Sequence, residues 1–537
     1  DNAAFGNAAL YSNTTASNNT AVGSGALTAN TTGAALTAVG KGALIANTTG
    51  DSNVAVGKGA LEANTTATRN VAVGSSAGES LTTGNDNTAL GHNALGDEST
   101  THNNTAVGSF AMHDGAGADG CVAVGTNALA VCTGDNNTGA GYLALTANTS
   151  GIGNSAFGQG ALDANTTGDY NAGIGLGSLT ANTTGDKNTA VGSYALQENT
   201  TADYNTAVGY GSLAANTTGA NNTSVGNDAL KANTTGVQNV AVGDGSLDAN
   251  TTGHYNVALG KSALGANTTA SENTAVGMSA LAANTTGTVN VAVGSSSLDA
   301  NTTGNYNVAV GGSSLGVATT AVANTAVGTY SGDAVTTGTD NTLIGYHAAS
   351  NAQTLTNCVV VGRNAAATLN EGDYCSILGA DCDVDTGDSQ ARMIVGYNVD
   401  NPTDNSIRIG AGGNWIANTF TANATWAHSS DERLKENIAD DDLGLSFIND
   451  LRTVTFNWRK QKDVPSELKS DERFEKDTEN KRHGMIAQEV KAALDKQGVD
   501  TFTGWEEDGA DGVQLVSESM FVYPLIKAVQ ELSAEVE

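Results

Sequence analysis

The sequence predicts a mainly β protein: a parallel β-solenoid (β-roll) shaft of 17-residue repeats, followed by an α-rich carboxyl-terminal domain ending in a coiled-coil helix. Three observations predict it. One glycine recurs at a fixed period, apolar residues keep a constant phase to that glycine, and the composition changes near residue 397.

The period can be followed from end to end. Steps of 17 run from Gly6 through Gly23, Gly40, Gly57, Gly74, Gly91 and Gly108 to Gly125; one step of 16 reaches Gly141, and steps of 17 resume from there through Gly158 to Gly396, giving 24 copies. Fixed periods of this size mark stacked repeat architectures. In one unit, Asn188-Thr189-Ala190-Val191-Gly192 is followed by Ala195-Leu196 and Asn199-Thr200-Thr201. Residues two apart share a strand face, so Val71 and Val73 point one way and Ala72 the other. The strand, about four residues long, ends at a glycine suited to a left-handed turn. Ala-Leu supplies a second buried point, and Asn-Thr-Thr-Gly is turn chemistry. Stacking then makes a continuous Val/Leu/Ala core that no single coil possesses.

A repeat of 17 residues is too short for two paired helices, and Gly, Thr and Asn are poor helix formers. A disordered low-complexity chain would share the glycine content, but not the strict phase. The phrase Asn70-Val71-Ala72-Val73-Gly74 resembles the repeats in the heads of trimeric autotransporter adhesins. Those heads are left-handed parallel β-rolls packed as trimers, and the resemblance covers roughly residues 1–396, although the period here is longer. It implies that outward alanines such as Ala190 and Ala207 let three rolls approach closely.

The charge balance excludes some functions. The formal net charge is −32; residues 1–396 hold 8 basic and 28 acidic residues, and residues 397–537 hold 15 and 27. Such a surface repels phosphate backbones, so nucleic-acid binding is not expected. No apolar run of 18 residues exists, so no membrane insertion is expected either. The chain shows no signal peptide and opens inside a repeat at Asn2-Ala3-Ala4-Phe5-Gly6, which suggests that a preceding segment belongs to the native protein. Five cysteines give no disulfide framework. Cys121, Cys358 and Cys375 each stand four residues before a phase glycine, as small residues filling one repeat position. Cys358 and Cys375 should stack on adjacent coils, where a disulfide would need suitable geometry.

All three prolines and all four tryptophans lie beyond residue 397. We therefore divide the chain into a shaft at 1–396, a short β-rich neck at 397–429 containing Ile407-Arg408-Ile409-Gly410 and Trp415, and a charged helical domain at 430–537. Residues 484–494 have helical apolar spacing, and Leu525, Ile526, Val529 and Leu532 form a second stripe suited to a coiled coil.

The run Ser430-Asp431-Glu432-Arg433-Leu434-Lys435-Glu436-Asn437-Ile438 carries the candidate chemistry. With Leu451, Val454, Phe456 and Trp458, then Gly484-Met485-Ile486-Ala487-Gln488-Glu489-Val490, then Tyr523, Leu525 and Ala528-Val529-Gln530-Glu531-Leu532, it resembles the intramolecular chaperone domain of phage tail spikes and fibres. That is the auto-processing domain of endosialidase-type peptidases. The resemblance covers about residues 430–537, and its motif positions are Asp431, Arg433, Asn437, Gly484, Gln488 and Glu489. It implies a Ser/Lys dyad, with Ser430 as nucleophile, Lys435 as base and the Ser429–Ser430 bond as the cleavage site. A lysine serves as base only if burial or its neighbours lower its pKa. Residue types alone would equally allow Ser430 as a helix cap with Arg433 and Lys435 as solvated charges. His428 adjoins the bond and is either an assistant or a structural residue.

Other motifs carry less. Asp381, Asp383 and Asp385 hint at a calcium loop, but the glycine falls one place late and Arg392 stands where a glutamate ligand belongs, so a solvated acidic turn is the simpler reading. Gly-x-Gly pairs such as Gly175-Leu176-Gly177 come from the repeat and imply no nucleotide, and Asn-x-Thr sequons follow from turn chemistry. No cofactor is expected. The resulting expectation is a homotrimeric fibre or spike of a phage-like virion tail, extracellular, which attaches to a host surface receptor such as a glycan or outer-membrane component. A single-turnover serine auto-endopeptidase forms its end. The alternatives are a bacterial cell-surface adhesin, which needs a membrane-anchoring barrel; a polysaccharide depolymerase, which needs paired carboxylates in a cleft; and an ice-binding solenoid built on Thr-Thr ladders.

Overall fold

The computed structural model describes residues 1–97, 99–115, 117–384, 388–420, 435–459, 479, 481–507 and 513–537. The chain forms two compact units, Asp1–His428 and Ser429–Glu537.

In the first unit each repeat is one coil of a parallel β-solenoid. Its strand has three residues rather than four. Thr206–Val208, for example, pairs in register with Thr189–Val191 and Thr223–Val225. The ladder runs from Ala3–Phe5 to Arg392–Tyr397 across 24 coil strands at 17-residue spacing. At about 4.8 Å per coil, 24 coils extend on the order of 110 Å. Ser406–Ala411 adds a further parallel rung, and Asn414–Thr419 folds back on it as an antiparallel hairpin. Near that end a second small parallel ladder joins Thr354–Thr356, Glu371–Asp373 and Asp388–Gln390.

The phase glycines cannot be replaced cheaply. Gly192 has φ +138°, and a Cβ there would lie 2.3 Å from the carbonyl oxygen of Gly209 in the next coil. The chain also adopts left-handed conformations at non-glycine corners. Tyr194, Leu196 and Tyr204 of a single coil have φ of 60°, 51° and 59°. Each such residue costs about 1–2 kcal/mol, which the stack offsets by burying leucine and by bonding the corner backbone to the next coil. Leu196 N–H donates to the Ser212 carbonyl at 3.1 Å, and Glu198 N–H to that of Ala214 at 2.9 Å.

The core reverses the expected polarity of the strand. Ala190 and Ala207 are fully buried, whereas Val71 is 39% exposed and Leu90 46%. The alanines therefore point inward and cannot form a surface for close approach of other rolls. The reason is volume: the narrow coil interior already holds Ala195, Leu196 and two asparagines, leaving room for one methyl from the strand. Over most coils the core is Ala/Leu/Asn and the valines at the strand ends stand on the outer face of the sheet, while in the last coils Leu343, Val360, Ile377 and Ile394 fill the inward strand position.

Those asparagines form two internal ladders. One occupies the position before each strand: Asn188 N–H donates to Asn171 Oδ1 at 2.9 Å, and Asn188 Nδ2 reaches the Ala202 carbonyl at 2.8 Å. The other is the first residue of Asn-Thr-Thr: Asn199 Nδ2 donates to Asn182 Oδ1 at 2.9 Å and to the Ala202 carbonyl at 3.0 Å. Both asparagines are fully buried, which also closes the side chain of the Asn199-Thr200-Thr201 sequon to modification in the folded coil. Beside them Thr200 Oγ1 donates to the Thr217 carbonyl at 3.1 Å.

The cysteines substitute into these ladders. Cys121 takes the slot before the strand, its N–H donating to Asn104 Oδ1 at 2.8 Å, and Cys375 N–H donates to Cys358 Sγ at 3.3 Å. All five thiols are free and buried. Cys121 and Cys132 both lie against the Gly134 carbonyl, and contact between the thiols holds Cys121 protonated while lowering Cys132 to about 7. The single 16-residue step falls here. Cys132-Thr133-Gly134 is one residue shorter than the usual turn, so the strands Val122–Val124 and Thr138–Ala140 remain in register.

In the second unit, α1 (Leu445–Asp450), α2 (Ala487–Gln497) and α3 (Val522–Val536) surround a core of Leu443, Phe447, Val490, Ala493, Leu494 and Phe521. Two short antiparallel pairs, Val454–Phe456 with Arg482–Gly484 and Trp505–Glu507 with Gln514–Val516, complete it. Phe447, Phe502 and Phe521 meet at ring-centroid distances of 5.1 to 6.2 Å. No helix among the described residues is long and apolar enough to cross a membrane.

Candidate functional site

The second unit carries the residues singled out for chemistry. Ser429, Ser430, Asp431 and Arg433 lie outside the described residues, as does His428. The described chain resumes at Lys435, whose side chain is exposed, and Asn437 follows with φ +57°.

The later motif residues are held by the small fold around α2. The Val454–Phe456 strand sets Gly484 opposite Val454, and a Cβ on Gly484 would come within 3.2 Å of both the Phe456 ring and Glu518 Oε1. Glycine thus leaves space for the aromatic ring beneath. Three residues later the chain enters α2, whose buried side presents Val490, Ala493 and Leu494, while Gln488 faces solvent. At the other end Gly498, φ +72°, closes the helix in a left-handed cap.

Glu489 has a structural partner that the sequence did not reveal. Arg452 forks onto its carboxylate, with Nε to Oε2 at 3.0 Å and the terminal nitrogen on Oε1. The guanidinium beside it holds the Glu489 carboxyl below its usual range. This pair ties α2 to the segment leading into the Val454 strand. Glu531 of α3 makes a second tie by accepting the Leu445 N–H at 2.7 Å, at the amino end of α1. An anion there satisfies a helix N–H and opposes the helix dipole. The nearby Gly444 has no side chain to displace that carboxylate, since a Cβ would lie 2.3 Å from Glu531 Oε2. An open groove lined by Thr453, Thr455, His483, Gly484, Met485 and Glu518 lies beside the first strand pair.

On its outer side α3 leaves Leu525, Val529, Leu532 and Val536 half or more exposed, while Pro524 and Ala528 are buried within the unit. Steps of four, three and four residues place those four on one seam, the spacing of a coiled-coil contact.

The acidic turn has partners of its own. Asp381 accepts from Arg363 at 2.6 Å and from Asn364 at 3.0 Å; Asp383 accepts the Thr368 and Val384 N–H groups at 3.0 and 2.9 Å. Burial pushes the Asp383 carboxyl up. Asp385 lies outside the described residues.

Residues 430–499 match the family model of peptidase S74, the chaperone of endosialidase. No curated protein matches the chain, and no solved structure does.

Proposed function

We propose that the chain is the shaft of a homotrimeric fibre or spike on a phage-like virion. Its last domain aligns three chains during folding and then cuts itself free at Ser429–Ser430. The observation that carries this reading is that the chaperone match begins at residue 430, the serine of the expected dyad. The uncovered seam of α3 supports assembly, because three such helices would bury one another's Leu525, Val529 and Leu532.

In this reading Ser430 Oγ attacks the carbonyl carbon of Ser429 while Lys435 takes the hydroxyl proton. The Ser430 nitrogen leaves as the amine, and water hydrolyses the resulting ester. The reaction runs once per chain. The released shaft is then trapped kinetically, because the template that aligned it is gone. Its role is attachment to a host-surface glycan or outer-membrane component.

Denaturing gels and intact mass test the chemistry. Wild-type protein should appear as residues 1–429 and 430–537, and Ser430→Ala and Lys435→Ala should stay whole. An uncut wild-type chain in a folded trimer contradicts the proteolysis.

A further inference from the structure

The ladder of turn asparagines stops at Asn64 and resumes at Asn148. In sequence Leu81, Glu98, Gly115 and Cys132 take the slot between them, and the buried amide of Asn64 makes no side-chain hydrogen bond from either its oxygen or its nitrogen. Within this gap the Gly91 and Gly108 coils lose their Asn-Thr-Thr turn, and the two positions just before it carry Gly96-Asp97 and His113-Asp114.

These replacements converge. Asp97 and Asp114 are 17 residues apart and so occupy the same position on adjacent coils, stacked carboxylate over carboxylate. The Asp97 N–H donates to the His113 carbonyl at 2.8 Å, which joins the two coils at this point. The His113 ring lies over Gly96, where a Cβ would sit 2.6 Å from its Cδ2 and 3.0 Å from its Nε2. Gly96 therefore makes room for the imidazole. Phe110 packs edge-on against the same ring at 5.1 Å between centroids, fixing its plane, and His113 Nδ1 contacts Asp114 Oδ1. One ligand atom from each of Asp97, His113 and Asp114 lies within 4.8 Å of the others.

We propose that Asp97, His113 and Asp114 bind a divalent transition-metal cation of the zinc class, which clips the Gly91 coil to the Gly108 coil where the asparagine ladder is missing. Stacked carboxylates repel one another unless a cation lies between them, and an imidazole with two carboxylates is a donor set for zinc rather than for calcium. Water completes the tetrahedron. The site makes coordinate bonds across the coils in place of the lost amide hydrogen bonds.

The test is metal uptake by untagged, purified protein dialysed against Zn²⁺ at neutral pH, read by elemental analysis. Wild type should hold one equivalent more than His113→Ala or Asp97→Asn, and His92→Ala should match wild type. Amide exchange over residues 91–131 should slow on adding Zn²⁺ to wild type, and not in the two site variants. Equal uptake by wild type and His113→Ala overturns the proposal even if one variant folds poorly, because Asp97→Asn provides an independent comparison. Uptake of Ca²⁺ in preference to Zn²⁺ also overturns it.

Discussion

At the scale of single residues, two kinds of position hold the solenoid, and they differed in how visible they were. The phase glycine was legible because its requirement is backbone geometry: a positive φ together with the next coil's carbonyl leaves no space for a side chain. The asparagines were not. In a chain rich in Gly and Thr, asparagine reads as turn chemistry, and only the closed coil shows its amide buried and bonded to the coil before it. The strand valines misled for a related reason, since period-2 alternation says that two faces differ but not which one is inside. Asn250 provides a test, because its Nδ2 donates to Asn233 Oδ1 at 2.9 Å and to the Gly253 carbonyl at 3.1 Å. Asn250→Asp sets a carboxylate against two acceptors and should cost about 2–4 kcal/mol. Burial would raise that carboxyl's folded-state pKa, so the deficit should be small below the unfolded value near pH 4 and complete once pH passes the raised one. Asn250→Leu should cost less, as Leu81 already fills an equivalent slot. Thermal unfolding from pH 3 to 8 measures both, and equal, pH-independent losses would count against the ladder.

At the scale of the element, the coil is the structural unit. Its 17-residue length matters more than its detailed sequence, and the one 16-residue step is absorbed in a turn without shifting the strands. Removing residues 227–243 should therefore rejoin Gly226 to Asp244 in register and move the melting midpoint by no more than about 3 °C. Removing residues 227–234 should disrupt the stack, and circular dichroism distinguishes the two. In the second unit α2 was legible from its 3.6-residue apolar stripe. The strand pairs were not, because Val454–Phe456 and Arg482–Gly484 are three residues each and far apart in sequence. Arg452 was equally invisible, since nothing local marks it as the partner of Glu489. The exposed seam of α3 gives another prediction: Val529→Glu should abolish assembly while leaving the unit folded. Sedimentation would show monomers or aggregates in place of trimers, and unchanged trimers would remove α3 from the contact.

At the scale of the whole molecule, the regularity that makes the solenoid stable also makes its folding ambiguous. The Thr-Ala-Val strand recurs with almost the same neighbours, so one coil pairs nearly as well with a wrong partner as with the right one. The acidic charge of the shaft, with 28 acidic against 8 basic residues over 1–396, keeps finished shafts apart but does nothing to select register. In the proposed function a separate unit aligns the chains before the coils close and so removes the ambiguity, and its later loss would not matter once the ladders are complete. The most direct measurement compares the full gene with one ending at residue 429, each expressed alike and analysed by sedimentation velocity. The account predicts a single trimeric species from the full gene and aggregated or heterogeneous shaft from the short one. Soluble, uniform trimers from the gene ending at residue 429 would contradict it.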